Sequence, residues 1–149
     1  MFTSKGKVVY DPKRNMTKDT KWWCVLELND ELTEYLRWIL DREWVHFDKS
    51  TIKRNYHKPP HRPHISIIRG ETPKANINNW KSLYKNKILK FEYQLNIHSI
   101  KGFKNEIGEF FVVRAVFPEY NKIRSYYGLD TERNGRPFSG HITFARTYE

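Results

Sequence analysis

Cysteine is almost absent from the chain, and that closes off several classes of protein. Cys24 is the only thiol in 149 residues, so it forms no internal disulfide and builds no metal site alone. Its neighbours Trp22, Trp23, Val25 and Leu26 predict a buried, structural thiol. Long apolar runs are also missing. None approaches the roughly 18 residues of a membrane span, and Met1 to Lys7 holds no signal-peptide core, so a soluble, cytoplasmic protein is expected, without a membrane or an evident protein partner. Nor is there a set of His, Asp and Glu at metal-ligand spacing. His57, His61 and His64 lie close together, but no clear carboxylate or cysteine accompanies them, and no metal or cofactor is expected.

Acidic residues are short relative to basic ones, 17 against 27, a formal charge of +10. That excess favours anionic partners, phosphates and nucleic acids among them. Nine Phe, nine Tyr and five Trp supply ample material for the core of one domain.

Along the chain, residues 1–20 predict an N-terminal arm with a short strand at 7–10, placed to cover a site, and residues 21–149 a single domain. Trp22 to Leu28 is a nearly continuous apolar run of strand length, bounded by Asn29-Asp30. A helix over about 30–43 follows from Leu32, Tyr35, Leu36, Ile39 and Leu40, which recur at three- and four-residue spacing. Pro59, Pro60 and Pro63 keep the next stretch extended, with a short strand around 50–55. A helix is expected at 74–84, an alternating strand at 88–97, and a hairpin of strands 97–103 and 109–117 turning at Asn105 to Gly108. Pro118 opens a helix of about ten residues, and a polar loop over 130–139 leads to a final strand at 140–146. The order predicts an α+β fold with an approximate two-fold repeat of a helix followed by a histidine strand.

Two of those strands carry chemistry: Pro63-His64-Ile65-Ser66-Ile67 and Gly140-His141-Ile142-Thr143-Phe144. Strand side chains alternate, so His64 and Ser66 share one face, as do His141 and Thr143, while the isoleucines between them point into the core. Two imidazoles facing one cleft suit phosphodiester cleavage, one activating an attacking hydroxyl and the other protonating the departing oxygen. Two hydroxyls beside them can hydrogen-bond the phosphate oxygens. Strict alternation turns Arg69 and Arg146 away from that cleft, leaves Arg62 on the histidine side, and gives Gly140 the role of admitting a ligand close to the backbone.

At these residues the sequence resembles the two-histidine (2H) phosphoesterase superfamily, whose signature is a pair of His-hydrophobic-Ser/Thr strands. The resemblance implies mostly antiparallel sheets around a central cleft with flanking helices, related by a pseudo-two-fold. It also implies metal-free action on nucleotide phosphodiesters, with His64 and His141 as the acid/base pair and Ser66 and Thr143 on the phosphate. Gly6 to Tyr10, Trp22-Trp23 and Tyr35 to Trp38 are similar to the phage anti-CBASS nucleases, which degrade cyclic di- and trinucleotide messengers of bacterial antiphage defence. That likeness implies a host-cytoplasmic enzyme in which Tyr10 stacks on a ligand base. Two other functions fit the same residues: an enzyme of RNA ends, hydrolysing 2′,3′-cyclic phosphates or handling 2′-5′ bonds, and a non-catalytic RNA or nucleotide binder.

Overall fold

The computed structural model describes residues 1–13, 21–101 and 108–148. Its elements run β1 (Phe2–Tyr10), β2 (Trp23–Glu27), α1 (Asp30–Arg42), a single turn α2 (Trp44–Phe47), β3 (His64–Arg69), β4 (Ile88–Tyr93), β5 (His98–Lys101), β6 (Glu109–Val116), α3 (Pro118–Tyr126), the two-residue β7 (Glu132–Arg133) and β8 (Arg136–Pro137), and β9 (Gly140–Arg146). The fold is α+β. Its main sheet is ordered β4-β1-β2-β3-β9-β6-β5, every pairing is antiparallel among the described residues, and β4 also pairs with β6. That extra ladder closes six of the strands into a barrel-like ring, with β5 outside it.

The two histidine strands lie side by side at the middle of the sheet, paired at Ile65 and Ile142. Both isoleucines are fully buried. α1 lays Leu36 and Leu40 on the core, and α3 lays Ile123 there, with fully buried Tyr127 just beyond it. The face opposite this core, where the odd-looking polar residues of β3 and β9 emerge, is left for the site.

The N-terminal segment is more than an arm. Phe2 to Tyr10 is a nine-residue strand paired with β2 on one side and β4 on the other. Gly6, Val8 and Tyr10 point inward, which the weak apolar pattern of Phe2 to Lys7 does not announce. The helix expected at 74–84 reduces to one 3-10 turn, Ile77–Asn79. Asn76, Lys81, Tyr84 and Asn86 take positive φ, the Trp80 indole N–H donates to Asp11 at 2.9 Å and the Asn76 amide to the Tyr126 carbonyl at 2.7 Å, so turns and tertiary bonds outweigh the helical spacing. No strand forms around 50–55. There Asp48 accepts hydrogen bonds from Arg54 and Tyr56, and His57 exchanges backbone bonds with Arg146 of β9, which lashes the loop beside the site. The loop at 130–139 contains a small hairpin whose Asn134-Gly135 turn has both φ values positive. Most of the turn expected at 105–108, and part of the arm's tail (residues 14–20), lie outside the described residues.

Candidate active site

His64, Ser66, His141 and Thr143 line one cavity of about 200 Å³. The antiparallel register about Ile65 and Ile142 sets each histidine beside the other strand's hydroxyl, so His64 neighbours Thr143 and His141 neighbours Ser66. In β3 the His64 Nδ1–H donates to the Arg62 carbonyl at 2.7 Å. This bond fixes the tautomer of the neutral ring, with the proton on Nδ1.

The two rings have opposite electrostatic surroundings. Glu27 of β2 stands directly across from His64, whereas Arg114 of β6 stands across from His141. The cleft's walls withdraw water from His141, and the Arg69 guanidinium adds like charge; together they push its imidazole below the ordinary histidine value. The shift favours the neutral form of His141, which is exposed at the cleft.

Arg69 and Arg146 also line the cavity, which corrects the expectation from strict alternation. The reason is a β-bulge in each strand. Ser66 pairs with Val25 but Ile68 with Cys24, so Ile67 is an extra residue; Thr143 pairs with Val112 but Ala145 with Phe111, so Phe144 is one too. Each bulge shifts the side-chain parity by one and returns the arginine five residues after the histidine to the histidine's face. The signal was in the sequence: both motifs continue with two apolar residues and then arginine, Ile67-Ile68-Arg69 and Phe144-Ala145-Arg146, and both apolar pairs are buried. The arginines are held by aromatic rings, two on neighbouring strands and one just past the end of β9. Arg69 lies 5.2 Å from the Trp23 ring centre, and Arg146 sits between Phe110 at 4.9 Å and Tyr148 at 4.4 Å. The Arg146 Nε–H is buried with no hydrogen-bond partner. A donor in that state is suited to an anion bound in the cavity.

Three other sequence candidates fall differently. Tyr10 faces the core, only 8% exposed, and donates its hydroxyl to the Leu83 carbonyl at 2.6 Å with its ring against Trp80 and Tyr127. It is structural and reaches no ligand, because β1 alternates Gly6, Val8 and Tyr10 inward. Replacing Tyr10 with Phe removes the bond to Leu83 and the long one accepted from the Tyr127 hydroxyl, so a loss of about 1–2 kcal/mol in unfolding free energy with unchanged KM for any nucleotide is expected, measured by denaturant titration beside steady-state kinetics. Gly140 is likewise buried and serves packing: a Cβ there would stand 2.2 Å from the Ile65 Cγ2. The alanine variant must displace Ile65, which carries His64 and Ser66 on either side. A destabilisation of about 1–3 kcal/mol with reduced turnover is the expected outcome, measured by thermal unfolding and kinetics. Arg62 stands at the rim, its side chain 85% exposed and 3.3 Å from Glu27, between the cavity and a second pocket of about 430 Å³ that Val9, Lys13 and Glu27 help to line.

Among the described residues no group of three or more His, Cys, Asp and Glu is placed to hold a metal ion, and no helix is long and apolar enough to cross a membrane. Comparison with protein-family models, with curated proteins and with solved structures returned no match.

Proposed function

We propose that the protein is a two-histidine phosphodiesterase that opens cyclic di- and trinucleotides, messengers of the kind used in bacterial antiphage defence. The observation that carries this reading is the convergence of two His-x-Ser/Thr strands, each bulged to add an arginine, on one cavity. On this reading the α+β fold is the pseudo-two-fold arrangement of that superfamily, and the excess of basic residues draws in the polyanionic ligand.

The chemistry follows from the charges around the rings. His141, poised neutral, takes the proton of a ribose 2′-hydroxyl. The freed oxygen attacks the adjacent phosphorus, and the bond to the 5′-oxygen breaks as His64, the ring opposite Glu27, gives that oxygen a proton. The product end is a 2′,3′-cyclic phosphate. Water then opens it with the two imidazoles in exchanged roles. Ser66 and Thr143 donate to the non-bridging oxygens, and Arg69 and Arg146 offset the charge that gathers on them in the transition state. Two imidazoles supply both proton transfers, so these steps call on no metal ion.

The substrate class is tested by a panel. Cyclic di- and trinucleotides are incubated beside linear RNA ending in a 2′,3′-cyclic phosphate, and products are separated chromatographically. Linearisation of the closed rings is expected. Intact rings with efficient hydrolysis of the RNA ends would move the protein to RNA-end chemistry, and no turnover of either would leave only a binder.

A further inference from the structure

The two bulges are not free-standing. Inserting one residue into a strand takes that residue's backbone groups out of the ladder, and a buried carbonyl left without a donor is costly. Each carbonyl is met by an arginine from a helix. Arg124 of α3 donates from Nη1 to the Ile67 carbonyl at 2.8 Å, and Arg37 of α1 donates from Nη1 to the Phe144 carbonyl at 2.8 Å. These are the two extra residues of β3 and β9. The pairing crosses the molecule: the helix after β2 serves the C-terminal histidine strand, and the helix before β9 serves the central one.

We infer that Arg37 and Arg124 are positioning residues of the candidate active site, each holding the bulge that turns Arg146 or Arg69 into the cavity. The inference builds on the site described above and adds residues that touch no ligand. Arg124 is built for the task. It is 5% exposed, also donates to the Asp130 carbonyl at 2.6 Å, and forms a two-pronged ion pair with Glu71 at 2.8 and 2.9 Å. A planar guanidinium serves all these acceptors at once from one orientation, which a lysine ammonium cannot. Glu71 follows Arg69 by two residues, so the same guanidinium grips β3 at its bulge and the chain just past its end. Arg37 makes a simpler contact from the half-exposed flank of α1.

Without these donors the strand's lowest-energy course is the regular ladder, in which position 69 or 146 faces the other way. The histidines and hydroxyls precede the bulges and keep their places. The expected signature of losing Arg37 or Arg124 is thus selective: the pocket keeps its imidazoles and loses one guanidinium.

The test reads Arg69 through its neighbour His141. Imidazole Hε1 signals are followed by NMR across pH in wild type, Arg69→Met, Arg124→Met and the double variant, with Arg124→Lys, which keeps the charge opposite Glu71, used if the methionine variant does not fold. Removing the Arg69 charge raises the His141 midpoint; Arg124 variants are expected to raise it comparably, with no further rise in the double variant. For the other strand, the dissociation constant for inorganic phosphate is measured in Arg37→Met, Arg146→Met and their double. Each single variant is expected to weaken phosphate about tenfold, and the double no more than Arg146→Met alone. Folded Arg124 variants with a wild-type His141 titration, or Arg37 and Arg146 losses that multiply, would overturn the inference. The His141 readout needs no turnover. Coupled titration in an enzyme that leaves cyclic nucleotides intact would remove the proposed function and keep the positioning role.

Discussion

Replacing His141 with alanine is expected to lower kcat/KM on a cyclic dinucleotide by about a thousandfold, a barrier increase of roughly 4 kcal/mol. The size follows from the proposed role, in which His141, whose surroundings favour its neutral form, accepts the first proton. Its side chain points into the cleft and not into the core, so the variant should unfold at nearly the wild-type temperature. The same pattern is expected for His64, the proposed acid, whose Nδ1–H is tied to the Arg62 carbonyl. Steady-state kinetics with thermal unfolding on the same samples separates a chemical loss from a structural one. A His141 variant with more than a tenth of wild-type kcat/KM would remove it from the chemistry.

The second large effect belongs to the arginines. Arg69→Met and Arg146→Met are each expected to reduce kcat/KM about a hundredfold, because a charged donor to the phosphate is lost in a site partly shielded from water. Arg69 carries an additional signature. Its positive charge disfavours a proton on His141 and so lowers that midpoint; without it the midpoint rises. A base works only when deprotonated, so the acidic limb of the kcat/KM profile moves to higher pH in Arg69→Met. A pH series in buffers of constant ionic strength measures the shift. A shift to lower pH, or none, would contradict the placement of Arg69 beside the base.

Much of the architecture could be read along the chain where one force dominates. The alternation of Leu89, Phe91 and Tyr93 gave β4, the spacing of Leu36 and Leu40 gave α1, and Pro118 marked the first turn of α3. The residues from Gly140 to Arg146 formed the expected strand, and both His-x-Ser/Thr pairs came to one cavity because period-two alternation holds over three residues regardless of context. Longer extrapolation failed. Five residues on from each histidine, parity depended on a bulge, and each bulge is stabilised by an arginine from a helix distant in sequence, Arg37 or Arg124. Tyr10 was misplaced for a related reason. Which face of β1 is buried is decided by its pairing with β2 and β4, and the hydroxyl's partner, Leu83, is far along the chain. The segment around Trp80 gave way to tertiary bonds, from the Trp80 indole to Asp11 and between Asn76, Asn79 and the end of α3. Local rules thus placed the imidazoles and hydroxyls, whereas the guanidiniums depended on contacts between halves of the molecule.

The central claim is that two imidazoles open a cyclic oligonucleotide by passing a proton from a ribose hydroxyl to a leaving oxygen. It is tested most directly by incubating the wild-type protein with a cyclic trinucleotide in excess chelator and analysing the products over time by mass spectrometry. The account predicts a linear trinucleotide that first carries a terminal 2′,3′-cyclic phosphate and later gains one water. Intact cyclic substrate, or opening that stops in chelator and returns with a divalent cation, would contradict it.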